Sequence, residues 1–139
     1  MDDKELIRLA MDARSRSYSP YSEYRVGAAL LCSDGTVFTG ANIENASYPA
    51  TVCAERVAVG NAISSGRSDI KAIAIAGGKS SETSALSDYA TPCGICRQVL
   101  REFSDPGTFR VLVARSVDDY KEFTLDELLP ESFGPDHLN

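Results

Sequence analysis

Apolar and polar positions along the chain follow two periods. Over residues 3–18, Leu6, Ile7, Leu9, Ala10 and Ala13 recur at helical spacing with charges between them, which predicts an amphipathic first helix ended by the turn-rich run SYSPYSEY. Residues 26–32 (VGAALLC) and 36–41 (TVFTGA) are short apolar runs joined by Ser33-Asp34-Gly35, and Asp-Gly between such runs predicts a hairpin. The first strand is apolar on both faces and is expected to be central.

A polar stretch, NIENASYPAT, precedes VCAERVAVGNAISSG, which is helical in period, and IKAIAIAGG, a short run that reads as a buried strand. Helix followed by strand implies a crossover. Residues 79–90 (KSSETSALSDYA) are polar and without a clear period, a solvated loop or a lid over a site. CGICRQVLREF then regains helical spacing through Ile95, Val99, Leu100 and Phe103 until Asp105-Pro106-Gly107 stops it. Residues 109–114 and 121–124 read as strands, and LDELLP as a short last helix. The order α-β-β-α-β-α-β-β predicts an α/β fold in three layers, with helices on both faces of a five-stranded mixed sheet. No repeat or linker interrupts it, so residues 1–139 are expected to form a single domain.

The 139 residues are 43% apolar and 24% charged with a net charge of −6, which fits a globular chain and opposes binding to a phosphate backbone or an anionic membrane. The N-terminus is charged from its second residue and lacks a signal core, and no stretch approaches a membrane span. Four cysteines in such a chain point to a reducing cytoplasm and to metal or redox chemistry rather than structural disulfides.

Two predicted helices begin alike, Thr51-Val52-Cys53 and Thr91-Pro92-Cys93. Threonine is a good N-cap and proline is tolerated at the first helical position, so each helix should present a cysteine in its first turn, where free N–H groups and the helix dipole favour thiolate. Cys93 and Cys96 are neighbours on one face, and Cys53 would supply a third sulfur. Cys53 and Glu55 are about 200° apart around a helix, so they converge only if the helix end points at the site. Three thiolates leave one tetrahedral position of Zn²⁺ open, the mark of a catalytic ion. Glu55 is then a proton carrier, and Arg56 offsets the negative thiolate set, with Arg97 a weaker candidate. The Cys-x-x-Cys pair alone also fits a thioredoxin-type redox site, and a closed four-cysteine site would need Cys32, which reads instead as a core hydrophobe.

The motifs Cys53-Ala54-Glu55 and Pro92-Cys93-Gly94-Ile95-Cys96 resemble those of the zinc-dependent cytidine deaminases, a pattern of His or Cys before x-Glu and a later Pro-Cys-x-x-Cys. The blocks YSEYRVGAAL, NIENASYPATVCAERVA, PCGICRQV and LLPESFGPDHL extend the likeness over nearly the whole chain, in particular to the small enzymes acting on free nucleosides. The resemblance implies a cytidine deaminase-like fold with one zinc per subunit. It also implies attack of activated water at C4 of cytosine, with Glu55 protonating N3 and then the departing amine to give uridine and ammonia.

It further implies that the Ala54 N–H and a carbonyl near Cys93 read the base, that Asn42 and Glu44 hold the ribose hydroxyls, and that Tyr24 stacks on the pyrimidine where the family more often has phenylalanine. Phe133 resembles the aromatic residue that enters a neighbouring subunit's site in the tetrameric members, which implies a homotetramer with shared active sites. Cytidine and 2′-deoxycytidine are the expected substrates, in pyrimidine salvage, with a related aminopyrimidine nucleoside or nucleotide as the alternative. A nucleic-acid-binding module is opposed by the charge of −6.

Overall fold

A computed structural model describes residues 1–138. Its centre is one five-stranded sheet in the order β2-β1-β3-β4-β5, formed by β1 (Tyr24–Cys32), β2 (Val37–Ala41), β3 (Ile70–Lys79), β4 (Arg110–Ser116) and β5 (Asp119–Thr124). β3 and β4 run parallel, and all other pairs are antiparallel. The helices are α1 (Asp3–Ala13), α2 (Ala54–Ser64), α3 (Gly94–Glu102) and the single turn α4 (Leu125–Leu128). The mixed α/β sheet expected from the sequence is therefore present, with β1 second from the edge and paired on both sides.

Side-chain alternation divides the core into two layers. On β3, Ala72, Ala74 and Ala76 face α1 together with Leu6, Ile7 and Ala10, while Ile73 and Ile75 face α2 and α3 among Ala58, Leu100, Val111 and Val113. Small residues on the α1 side allow close approach. At Gly27 a Cβ would lie 2.0 Å from the Ala10 carbonyl oxygen, so α1 rests directly on the backbone of β1. Cys32 is fully buried in the α2/α3 layer, as its place in an apolar strand implies.

Three local differences from the sequence reading have physical causes. α1 ends at Ala13 and continues only as a 3-10 turn, Arg14–Arg16. The Ser15 hydroxyl donates to Asp12 O and the Ser17 hydroxyl to Asn42 Oδ1, bonds that compete with helix continuation. Second, neither threonine is an N-cap: Cys53 and Cys93 are, with extended dihedrals and no side-chain cap bond. Val52 exchanges both backbone hydrogen bonds with Ile43, which keeps the chain extended up to Cys53.

Third, residues 79–90 are mostly exposed, as a solvated loop would be, but are anchored at several points. Glu82 accepts from the N–H groups of Lys79 and Ser87, and Leu86 is buried with its N–H on Arg115 O. Arg14, only 4% exposed, donates to the carbonyls of Arg25, Gly78, Lys79 and Glu82 at 3.0–3.1 Å. One buried guanidinium thus joins the end of the first helix to β1 and to both ends of the β3 exit.

Candidate active site

Because Cys53 and Cys93 are N-cap residues, their sulfurs stand at the N-terminal ends of α2 and α3, where the first N–H groups lack intrahelical acceptors. Gly40 on β2 sets the position of α2, since a Cβ there would meet Ala58 N at 2.5 Å and Ala54 O at 2.6 Å. Cys93 Sγ lies 3.5 Å from Cys96 Sγ and 4.0 Å from Cys53 Sγ, and all three sulfurs fall within 4.8 Å of one another. Tetrahedral zinc with bonds of about 2.3 Å sets sulfur separations of about 3.8 Å, so the three fit one ion with little movement.

The thiols already share charge unequally. Hydrogen bonding with Cys96, then with Arg56 and Cys93, brings Cys53 down to about 5. Cys96 is pushed up, first by its bond to the Cys53 thiolate and then by burial. The Cys53 thiolate and the Cys96 thiol thus differ, and a divalent cation is what allows neighbouring sulfurs to ionise together. The donor set therefore suits zinc. Arg56 reaches the cluster, with Nη2 3.7 Å from Cys53 Sγ and 3.5 Å from Thr51 O. Arg97 does not, because its guanidinium bonds Pro92 O and Leu128 O, both at 2.6 Å.

A cavity of about 440 Å³ opens beside the sulfurs, with Cys53, Cys93, Ala54 and Glu55 on its floor. Glu55 is 5% exposed, and burial raises its carboxyl to about 7. A carboxyl in that range exchanges protons readily at neutral pH. Tyr24, Val26 and Asn42, and Asp88, Tyr89 and Ala90, also line it.

The remaining sequence-derived positions divide. Asn42 is on the cavity wall, with Oδ1 accepting from Ser17 Oγ at 2.5 Å and Val26 N at 2.9 Å and Nδ2 donating to Tyr24 O. Glu44 lies instead in an adjoining cleft with Tyr21, Ser22 and Tyr48, joined to the cavity through Thr51, which lines both. Its Oε1 accepts from the N–H groups of Tyr21 and Ser22, and Oε2 from the Ser22 hydroxyl. Phe133 is not at its own chain's cavity: it is 59% exposed, stacked on His137, with its carbonyl held by Gln98. Tyr89 and Asp88 escaped the sequence reading because they sit in a segment without period. The available signal was one aromatic residue in that polar run, immediately before Ala90-Thr91-Pro92-Cys93.

A layered α/β sheet that turns two helix ends, three thiols and a buried carboxyl toward one small-molecule cavity defines the zinc-dependent hydrolase class, with an open ligand position for water. Residues 1–112 match the model described as the cytidine and deoxycytidylate deaminase zinc-binding region, and the chain belongs to that family. It is 45% identical over 139 residues to a cytidine deaminase of Halalkalibacterium halodurans, covering 100% of this chain and 99% of the relative. A cytidine deaminase of Sporosarcina psychrophila is 41% identical, with 100% and 96% of the two chains covered. The crystal structure of cytidine deaminase from Burkholderia pseudomallei superposes with a TM-score of 0.83 at 39% identity, over 96% of this chain and 100% of that one.

Proposed function

We propose that this protein catalyses zinc-dependent hydrolytic deamination of cytidine and 2′-deoxycytidine to uridine and 2′-deoxyuridine, releasing ammonia. The observation that carries the reading is the cluster of Cys53, Cys93 and Cys96, with Cys53, Cys93 and the buried Glu55 lining one cavity. The three sulfurs hold the zinc. When bound, it supplies the Lewis acidity that makes water nucleophilic near neutral pH.

Glu55, with its carboxyl near 7, would take a proton from the attacking water and deliver it to N3 of the ring, then take the proton of the new C4 hydroxyl and pass it to the exocyclic amine, which leaves as ammonia as the C4 carbonyl forms. The Ala54 N–H, in the first turn of α2 and without an intrahelical acceptor, is assigned to the ring carbonyl, and the backbone carbonyl near Cys93 to the exocyclic amine. The Tyr24 ring stacks on the pyrimidine. Asn42 and Glu44 are assigned to the ribose. Each retains capacity for it, because Asn42 Nδ2 has a second hydrogen and Glu44 Oε2 accepts only one bond. Arg56 steadies the thiolate of Cys53.

The cavity lining includes Glu55 and Asp88 and no lysine or arginine, which favours a neutral nucleoside over a phosphorylated substrate. We read residues 1–139 as one catalytic domain in a cytoplasmic homotetramer serving pyrimidine salvage, with Phe133 completing a neighbour's site. The exposed Tyr18, Tyr21, Ile43 and Tyr48 near the Glu44 cleft, and Ile95 and Phe133 near α3, support an assembled form. Among the described residues no helix is long and apolar enough to cross a membrane.

The test is metal analysis beside a cytidine turnover assay on one preparation, with sedimentation to give the assembly. One zinc per chain with release of ammonia and uridine is expected. A zinc-loaded chain that leaves cytidine unchanged overturns the reading.

A further inference from the structure

We propose that Tyr89 is a positioning residue of the nucleoside cavity. It is tied to the β4–β5 hairpin so that residues 88–91 hold their place beside Tyr24 and deliver Cys93 to the sulfur cluster; the substrate side of this inference rests on the deaminase reading above. Tyr89 lines the same cavity as Glu55 and Cys93, yet its contacts run outward. Its hydroxyl donates to Asp119 Oδ1 at 2.5 Å. Over its ring lie Arg115 Cζ, 4.7 Å from the centroid, and Lys121 Nζ, 4.4 Å from it. Arg115 also pairs with Asp119 at 2.6 Å, so the acceptor of the hydroxyl is itself fixed.

A ring held by two cations and a charge-assisted hydrogen bond has little freedom to turn. The hairpin β4–β5 supplies all three partners while contributing no residue to the cavity lining, so Tyr89 is the lining residue through which these contacts reach the cavity.

Two contacts carry that position inward. The Thr91 N–H donates to Tyr89 O at 3.0 Å, and the next two residues are the buried Pro92 and the N-cap ligand Cys93. A displacement of Tyr89 therefore displaces the start of α3. On the other side, Gly77 of β3 leaves room for the wall to close: a Cβ there would lie 2.7 Å from Ala90 Cβ and 3.2 Å from Tyr24 Cε1. Ala90 and the Tyr24 ring share this space, so the placement of Tyr89 bears on the Tyr24 ring through Ala90.

The experiment compares Tyr89→Phe, Asp119→Asn and the double variant on the full zinc-loaded chain. It reads cytidine kinetics, and separately the rate at which a chromogenic chelator removes zinc. Each single variant is expected to raise KM about three- to tenfold with kcat within about twofold. It should also speed zinc release at least about threefold. The double variant should do no worse than the worse single one, because both remove the same tie. Unchanged KM and unchanged zinc release in both singles overturn the proposal, as do effects that multiply as for independent sites. Should the unaltered chain bind zinc but leave cytidine intact, the deaminase reading falls while the zinc-release arm still decides the role of Tyr89.

Discussion

Gly40 and Ala54 touch backbone to backbone: a Cβ on Gly40 would stand 2.6 Å from the Ala54 carbonyl oxygen, one residue beyond the ligand Cys53. Gly40→Ala must push α2 off the sheet. It is expected to cost about 1–3 kcal/mol in denaturant unfolding and to lower zinc occupancy by metal analysis. Gly60, exposed on the same helix with nothing within 4 Å of its Cβ position, is the contrasting case. Gly60→Ala should stabilise by about 0.5–1 kcal/mol through backbone entropy and leave zinc binding unchanged.

Glu55→Gln keeps the shape of the buried side chain and removes its proton exchange. Cytidine turnover should fall by about 10²–10⁴-fold while zinc content stays at the parental level. Near-normal turnover in a zinc-loaded variant would remove Glu55 from the proposed chemistry.

Arg56 is the only cationic side chain bonded to a sulfur of the cluster among the described residues. Arg56→Met should weaken zinc affinity about 10- to 100-fold in a chelator competition assay. With zinc in excess most of the turnover should return, because Arg56 acts on the thiolate and not on the substrate.

Loss of Arg14 removes the donor from four backbone carbonyls at once. Arg14→Met is expected to destabilise by about 2–4 kcal/mol and to expose residues 79–87 to proteolysis. Lysine should not rescue it, since a single ammonium cannot span acceptors arranged around a planar guanidinium.

At the opposite end of the sheet, hydrogen bonds from Arg67 hold the Asp34 and Asp69 carboxyls well below the usual carboxylate range. A carboxyl with a depressed folded pKa contributes stability above its unfolded value, and that contribution disappears as pH falls toward the folded value. Arg67→Gln should therefore lower stability at neutral pH and leave it little changed in strong acid, so that the two proteins converge as pH falls below roughly 4. Both carboxyls are exposed, so added salt should shrink the effect. Thermal unfolding across that range at two ionic strengths checks it.

The period-2 and period-3.6 patterns fixed the strands and helices because burial dictates them: Ala72 to Ala76 and Ile73 to Ile75 separate cleanly onto two faces. The sulfurs were readable because Cys53-Ala54-Glu55 and Pro92-Cys93-Gly94-Ile95-Cys96 keep their chemistry in local spacing. Contacts made across the fold were not readable. Nothing beside Arg14 in the chain announces that its guanidinium meets carbonyls 64 to 68 positions away. Glu44 two positions after Asn42 suggested one shared pocket, but Tyr21 and Ser22 draw its carboxylate into the next cleft. Tyr89 found its meaning only when β5 brought Asp119 and Lys121 beside it.

Cys53 and Cys93 stand where a serine or threonine would ordinarily tie off a helix, and neither makes that bond through its sulfur. One ion gripped by both serves as a common clasp for two helix starts, joining positions 53, 93 and 96 as a removable cross-link. Chelation of this protein is therefore a mechanical event as well as a chemical one. With the clasp undone, α2 and α3 are each free to fray from the ends that face the substrate.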